Sequence, residues 1–250
     1  MHFADHLFFF LLAVAYPAVS YINFQRLIRR VAAGHKVDRT KLYLETIAGH
    51  WALFALAIAL WIWQERTWST LGFGLSTDLP FMIGVVLTIA GIGVLLWQVR
   101  GVASNDIGEL RELRQQMGHV EIIIPRNGNE LGRFYGLAAT AGIVEEVLYR
   151  GFMIWYLGQF LPLWAAVLVS SAVFGIGHAY QGIASVPKIT IVGAVFAGLY
   201  VLSGSLWLAM VLHTAVDVLQ GRFVYDALRR CDDEDARAAN NGDAVAASAS

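Results

Sequence analysis

Two adjacent glutamates and an arginine interrupt a stretch of the chain that is otherwise apolar. Glu145, Glu146 and Arg150 lie within residues 141–152, whose other members are mainly aliphatic, aromatic or glycine. An ionisable group within a membrane span is energetically costly unless it faces the protein interior or a water-filled cavity. These three residues therefore indicate a functional site, at which carboxylates could do acid–base chemistry.

The spacing of these residues predicts different roles for the two glutamates. On a helix, Glu146 and Arg150 are four residues apart in the order that favours an ion pair. Glu145 lies about 100° further round the helix axis. We expect Glu146 and Arg150 to neutralise each other, and Glu145 to point into a cavity as a general base. The alternative is a charge cluster that only joins helices.

Two histidines on later apolar stretches could complete such a site. His178 follows a Gly-Ile-Gly sequence, and His213 and Asp217 are four residues apart, so they share one helix face. A single histidine near the end of a span is also typical of an interfacial structural residue. A buried His–Asp pair can likewise serve only to hold helices together.

The depth of these groups in the membrane shows whether they could meet. At about 1.5 Å per residue, Glu145 lies roughly 18 Å from Arg133, and His213 lies roughly 13 Å from Arg222. These depths agree. By the same measure His178 lies only about 6 Å from the cytoplasmic face of a roughly 30 Å hydrocarbon core. Helix tilt or a shifted helix end is then needed to bring it level.

The composition is that of a polytopic membrane protein. Of 250 residues, 57% are hydrophobic and 15% are charged, the mean hydropathy is +0.57 and the net charge is -1. A near-neutral chain of this kind is not expected to bind nucleic acid. The only cysteine, Cys231, lies in a polar region, so the sequence contains neither a disulfide framework nor a cysteine-rich metal site.

The apolar runs predict an all-α fold, a transmembrane helical bundle of about seven spans. Each run approaches the roughly 20 residues that a spanning helix needs. The predicted spans are 3–23, 43–63, 79–99, 134–157, 161–180, 187–203 and 206–223. We divide the chain into three N-terminal helices (1–100), a cytoplasmic amphipathic loop (101–132), a catalytic core (133–223) and a disordered cytoplasmic tail (224–250).

The positive charges predict the orientation. The connector 24–41 contains six lysines and arginines, whereas the connector 64–78 contains only Arg66. Cytoplasmic loops carry the excess of positive charge, so the first connector and the C-terminus are predicted to be cytoplasmic. An impermeant reagent outside the cell should then not label cysteines placed at Ser104 or Ser250. We expect a multi-pass protein of the bacterial inner membrane.

The polar segment 101–132 has two interpretations. Glu109, Leu110, Leu113 and Met117 fit an amphipathic helix lying at the membrane interface. The same pattern fits a solvated linker equally well.

Three motifs in a fixed order resemble those of a known family. The motifs are Glu-Glu-x-x-x-Arg, Phe-x-x-x-His and His-x-x-x-Asn/Asp, carried here by Glu145, Glu146 and Arg150, then by Phe174 and His178, then by His213 and Asp217. The chain resembles, over about 125–220, the CPBP or Abi family of intramembrane proteases. That family includes CAAX prenyl endopeptidases and bacteriocin-processing or immunity proteins.

The resemblance implies a role for each motif. Glu145 with His178 would activate water, and His213 with residue 217 would stabilise the tetrahedral oxyanion. Asp217 departs from the asparagine of the prenyl-protein branch, although the family pattern allows it. An ionised aspartate would repel an oxyanion. Asp217 must then be protonated, paired with a charged His213 or bound to a cation.

These observations favour an intramembrane endopeptidase whose substrate is a peptide or protein at the lipid bilayer. The cavity is expected to open to the cytoplasmic side, and metal-independent glutamate catalysis without a cofactor is favoured. A zinc-dependent version stays open, with Glu145, His178, His213 and Asp217 as candidate ligands. So does a non-enzymatic immunity or assembly protein. A transporter is disfavoured because the sequence shows no inverted repeat.

Overall fold

The computed structural model describes residues 1–102 and 105–248, and these residues form an all-α bundle. Ser104 and Ser250, the two labelling positions chosen above, lie outside the described residues. The first five helices are α1 (Phe3–Ala32, with a π-helical turn at Leu11–Ala15), α2 (Arg39–Trp63), α3 (Trp68–Leu71), α4 (Leu79–Gly101) and α5 (Ile107–Met117).

Four more helices complete the bundle. Helix α6 is α-helical over Gly128–Glu145, π-helical over Glu146–Met153 and α-helical again over Ile154–Leu157. It is followed by α7 (Leu163–Gly177), α8 (Ser185–Ser203) and α9 (Leu206–Ser248). Short 3-10 segments lie at Gly118–Ile123 and Ala179–Gln181. The predicted all-α bundle is therefore confirmed, and a helix lies at each predicted span, although α7 is shorter than the predicted span 161–180.

Several of these helices suit a bilayer. Among the described residues, α1, α2, α4 and α8 are long and apolar enough to cross a membrane. These helices expose large apolar side chains on their outer surface, such as Val86 and Ile191. In water such a surface would be unfavourable, whereas in a bilayer it contacts lipid. The chain is an integral membrane protein.

Helix α7 is shorter than the others. It has 15 residues, which corresponds to about 22 Å, less than a hydrocarbon core of roughly 30 Å. His178 follows directly as the C-cap residue. The helix is therefore shorter than the predicted span 161–180. Because it begins at Leu163, close to the residue from which the depth was counted, the expected depth of His178 is nearly unchanged, and tilt of α7 is the remaining way to bring His178 level with the glutamates.

Helix α6 occupies the centre of the bundle. It contacts α2 on one side and α9 on another. Its residues Val144, Val147, Leu148, Phe152 and Met153 are at most 2% exposed and form much of the apolar core. Because the carboxylates lie on this central helix, other helices surround them on several sides.

A glycine allows α6 and α9 to approach closely. A Cβ atom added to Gly142 would lie 2.6 Å from the backbone nitrogen of Thr214. Real Cβ atoms do not approach a backbone so closely, and small residues are a common device for close helix packing in membranes. Thr214 follows His213 directly, so this contact sets the separation between the glutamates and His213.

The N-terminus of α1 is held by a buried ion pair. Arg66 donates to Asp5 at 2.6 Å, and the Asp5 side chain is inaccessible to solvent. The Arg66 guanidinium also lies over the ring of Trp155 at 4.0 Å. The one basic residue of the connector 64–78 is thereby used to attach α1 to α6.

The polar segment after α4 contains the helix α5, which packs against α9. Leu110 of α5 is buried against Ala227 and Cys231 of α9. Arg114 and Arg126 both pair with Glu121. Burial acts to raise the pKa of Glu121, but the hydrogen bonds from the two arginines outweigh it and lower the pKa. The sequence allowed either an amphipathic helix or a solvated linker in this segment. The structure contains an amphipathic helix, and it packs against α9.

The disordered tail predicted for 224–250 differs from the structure over the described residues. Helix α9 continues through Ser248, and Tyr225, Ala227, Leu228 and Cys231 are buried. Arg111 and Arg114 pair with Asp235 and Asp232. The difference arises because α5 supplies an apolar surface and two cations to this region, which composition alone does not show.

The first testable prediction concerns the contact between α6 and α9. Gly142→Ala should destabilise the protein by about 1–3 kcal/mol, because the new methyl group overlaps the backbone at Thr214. Thermal unfolding in detergent measures this effect. Gly132→Ala on the same helix is the matched control, since a Cβ atom there meets nothing within 4 Å. Equal unfolding temperatures for the two variants would contradict the prediction.

Candidate active site

The first motif lies where α6 changes its helical geometry. Glu145 ends the α-helical part, and Glu146 begins the π-helical segment Glu146–Met153. Short π-helical segments within α-helices often coincide with functional sites. Ser170 of α7 donates to the carbonyl oxygen of Tyr149 at 2.8 Å, which satisfies a backbone group inside this segment. A neighbouring helix therefore helps to hold the irregular geometry in place.

Glu146 and Arg150 form a fully buried ion pair. Arg150 Nη1 lies 2.8 Å from Glu146 Oε1, and their side chains are 1% and 0% exposed. Arg150 Nη2 donates to the carbonyl oxygen of Gly193 at 2.9 Å. Its guanidinium also lies 4.3 Å from the centre of the Phe174 ring. The arginine is thus neutralised and contacted from α6, α7 and α8.

His213 of α9 joins this pair. Its Nδ1 lies 2.7 Å from Glu146 Oε1, and because a carboxylate accepts, Nδ1 carries the proton. The ring stacks on Phe196 at 4.6 Å and meets the Phe174 ring edge-on at 5.8 Å. Glu146 is therefore the shared acceptor that fixes both Arg150 and His213.

Glu145 has a different environment from that of its neighbour. Its side chain is 12% exposed, and Oε1 lies 3.0 Å from His50 Nε2. Its second oxygen, Oε2, lies 3.9 Å from His213 Nε2. Among the described residues Oε2 has no hydrogen-bond partner. Glu146 Oε2 likewise has no hydrogen-bond partner among these residues, so Glu145 differs from Glu146 in its partial exposure and in having no arginine partner.

His178 is held by its own helix. Its Nδ1 lies 2.8 Å from the carbonyl oxygen of Phe174. Since a carbonyl only accepts, Nδ1 is the donor, and in the neutral ring Nε2 keeps a lone pair. His178 lies within electrostatic range of Glu145 and Asp217. The half-buried ring is thus near both carboxylates without being fixed to either.

Asp217 is more exposed than the two glutamates, Arg150 and His213. Its side chain is 35% exposed, and its Oδ2 lies 3.6 Å from His213 Nε2. That distance allows an electrostatic attraction but is too long for a direct hydrogen bond. Of the three states considered for Asp217, pairing with a charged His213 is the one for which the structure supplies the partner.

The structure brings together the six predicted site residues from α6, α9 and the end of α7. Arg150 and His213 both contact Glu146, His213 also lies beside Glu145 and Asp217, and His178 lies within range of both of those carboxylates. Because these residues are far apart in the chain, the sequence predicted their proximity only from their similar depths in the membrane. The described side chains contain no group of three or more His, Cys, Asp and Glu residues arranged to hold a metal ion.

Sequence reasoning missed His50. This residue lies on α2, is 5% exposed and makes the contact to Glu145 described above. A signal was present, because His50 is an ionisable residue within the predicted span 43–63. At about 1.5 Å per residue it lies roughly 17 Å from Arg39, which is close to the depth of Glu145. None of the three motifs includes a residue of the first three predicted spans.

A separate cavity lies between α4 and α9. Its volume is about 720 Å³, and its lining includes Trp97, Arg100, Leu219 and Phe223. None of the six predicted site residues lines this cavity. This cavity is therefore separate from the glutamate cluster.

The fold and the site together define a helical membrane protein with a carboxylate–histidine centre buried among its helices. Residues 127–219 match the family model described as type II CAAX prenyl endopeptidase Rce1-like. This match contains all six predicted site residues and confirms the resemblance drawn from the motifs. At the level of the family it supports an intramembrane protease, a hydrolase that acts on a peptide or protein at the membrane.

The match does not extend to the N-terminal helices. Helices α1, α2 and α4 lie before residue 127, so His50 is outside it. No curated protein and no solved structure shows significant similarity to the chain.

The second testable prediction concerns the buried ion pair. Arg150→Ala should destabilise the protein by about 3–5 kcal/mol, because it leaves Glu146 charged and unpaired in the interior. Arg150→Met combined with Glu146→Gln removes both charges and should cost less. Unfolding of the purified variants measures both effects.

Arg133→Ala is the control for this experiment. Arg133 is an exposed arginine on the same helix, and its removal should change the free energy of unfolding by no more than about 0.5 kcal/mol. If Arg150→Ala were as mild as Arg133→Ala, the buried pair would not have the stabilising role assigned to it.

Proposed function

We propose that this protein is a CAAX-type intramembrane endopeptidase that hydrolyses a peptide bond with water activated by Glu145. One observation carries the proposal. The Glu145 side chain is 12% exposed and has histidines but no arginine beside it, whereas the adjacent Glu146 is fully buried and neutralised by Arg150. A purely structural charge cluster has no need of a partly exposed carboxylate without an arginine beside one that is buried and neutralised.

In the proposed first step Glu145 takes a proton from water as the water oxygen attacks the peptide carbonyl. The carbonyl electrons move to oxygen and form a tetrahedral oxyanion. His178 assists through Nε2, which is left free because Nδ1 is engaged by Phe174. In the second step the proton passes to the leaving nitrogen as the C–N bond breaks. The products are a carboxylic acid and an amine.

His213 is proposed to stabilise the oxyanion. Its Nδ1 is committed to Glu146, so in the protonated ring Nε2–H faces Asp217 and the open side of the site. A positive imidazolium between Asp217 and the reacting carbonyl would offset the repulsion that an ionised aspartate otherwise exerts. Preorganised donors of this kind contribute about 2.7–4 kcal/mol to catalysis in well-studied acyl-transfer sites.

The proposal extends to the cellular setting. We infer a multi-pass protein of the bacterial inner membrane, with its C-terminus in the cytoplasm and its site open to the cytoplasmic side. The charge difference between the connectors 24–41 and 64–78 supports this orientation. The substrate is inferred to be a peptide or protein segment that reaches the bilayer.

The third testable prediction concerns Glu145. Glu145→Gln should reduce peptide cleavage by at least about a hundredfold without unfolding the protein, because the amide cannot accept the proton from water. Comparative peptidomics of membranes containing the wild type or Glu145→Gln identifies the cleaved sites. A quenched fluorogenic peptide that spans such a site then gives the rate with purified protein.

Glu112→Gln, at an exposed position of α5, is the matched control and should cleave like the wild type. Unchanged fragments in Glu145→Gln membranes would instead favour the non-enzymatic alternative, an immunity or assembly protein that needs the buried charges only for folding.

The fourth testable prediction separates metal-free from zinc-dependent hydrolysis. If His213 and Asp217 act on the oxyanion, Asp217→Asn keeps the shape, supplies an amide donor and should retain activity. If Asp217 is a zinc ligand, the substitution weakens the site and activity becomes dependent on added zinc. Peptide cleavage by both proteins, with and without a chelator, measures the difference. A chelator-sensitive wild type together with zinc rescue of Asp217→Asn would reverse the choice of mechanism.

A further inference from the structure

His50 connects the unmatched N-terminal helices to the glutamate centre. It is 5% exposed on α2, and its Nε2 lies 3.0 Å from Glu145 Oε1. The Tyr16 ring of α1 meets the His50 ring edge-on at 6.0 Å. Its other nitrogen, Nδ1, lies 2.9 Å from the carbonyl oxygen of Thr46. Both ring nitrogens are therefore engaged, one by its own helix and one by Glu145.

The hydrogen bonds of His50 can be assigned from donors and acceptors. A carbonyl oxygen only accepts, so the bond to Thr46 places a proton on Nδ1. In the neutral ring Nε2 is then an acceptor, and an ionised carboxylate oxygen is an acceptor too. A contact of 3.0 Å between them therefore contains a proton, carried by Nε2 or by Glu145 Oε1. In either state the bond fixes the orientation of the Glu145 carboxyl group.

This orientation bears directly on the proposed chemistry. With Oε1 held by His50, Oε2 is the oxygen that lies 3.9 Å from His213 Nε2 and has no hydrogen-bond partner among the described residues. A carboxyl group that is free to rotate about its terminal torsion would present either oxygen. Holding one oxygen selects the other, and misplacement of a reacting group by about 1 Å can cost roughly a hundredfold in rate.

We propose that His50 is a positioning residue for the proposed reaction, holding Glu145 Oε1 so that Oε2 is the oxygen left to accept a proton from the attacking water. The inference rests on the proposed function, because it assigns His50 a role through Glu145. It gives α2, which lies outside the matched residues, a part in the active site. The charged or titratable groups around the His50–Glu145 pair come from several helices: Tyr16 of α1, His178 after α7, and His213 and Asp217 of α9.

The fifth testable prediction compares three substitutions at His50. His50→Phe and His50→Leu remove the hydrogen bond to Glu145 but keep an apolar side chain in the space. His50→Gln can still donate an amide N–H to Oε1. We expect kcat to fall about tenfold to a hundredfold in the first two variants, as for other groups that orient a reacting residue. His50→Gln should recover most of the lost activity, and KM should change by less than about twofold.

The measurements use the full chain in detergent and the quenched peptide defined by the membrane comparison above. His35→Gln, at an exposed histidine at the end of α1, is the matched control and should cleave like the wild type. Infrared difference spectra supply a second readout that needs no substrate. The carboxyl band assigned by its loss in Glu145→Gln should shift in His50→Phe and return toward its wild-type position in His50→Gln.

The outcomes separate this inference from the proposed function. Loss of cleavage in Glu145→Gln with full kcat in folded His50→Phe or His50→Leu would overturn the role of His50 alone. Unchanged cleavage in Glu145→Gln would overturn the proposed function, and the inference with it. If the apolar variants do not fold, the role of His50 is tested by kcat and by the infrared carboxyl band of Glu145 in the His50→Gln variant. A folded His50→Gln with low kcat and an unshifted Glu145 band would contradict positioning by this hydrogen bond.

Discussion

The bundle depends on how it neutralises Arg150, an arginine that is 1% exposed inside an apolar protein. An unpaired buried charge costs several kcal/mol, so the folded bundle must place partners next to the Arg150 guanidinium. Glu146 supplies the opposite charge, Gly193 supplies a carbonyl oxygen and Phe174 supplies a ring face. These partners come from three helices, and the helices must therefore meet at this point.

The two adjacent glutamates lie in different surroundings. Oε1 of Glu146 accepts from both Arg150 and His213, so this fully buried carboxylate is a fixed acceptor inside the bundle. Glu145 is partly exposed, has no arginine partner and is bound through Oε1 to His50. A helix turns by about 100° per residue, which allows neighbours in sequence to face such different surroundings. The buried pair holds the backbone that presents Glu145, the carboxylate proposed to react.

The helices approach one another closely, and this allows short contacts between the charged side chains of the site. Gly142 lies against the backbone of Thr214, and a Cβ atom at Gly175 would overlap Thr190 of α8. Without a hydrophobic force between helices in lipid, association depends on this close packing and on hydrogen bonds between helices. The end of α7 at Gly177 adds a third constraint, because His178, the next residue, lies within electrostatic range of Glu145. Small side chains and helix length therefore set the geometry of the site.

The sequence by itself determined the all-α fold, the order of the spans, the three motifs and the Glu146–Arg150 pair. These features follow from local periodicity, from hydropathy and from the cost of a charge in an apolar stretch, all of which can be read along the chain. Only the tertiary structure decided the contact of His50 with Glu145, the π-helical segment Glu146–Met153 and the helical continuation of α9 through Ser248. Each of these depends on a partner distant in sequence: α6 for His50, Ser170 for the π-helical segment and α5 for the end of α9. Such pairings are set by how helices pack, and no local pattern specifies them.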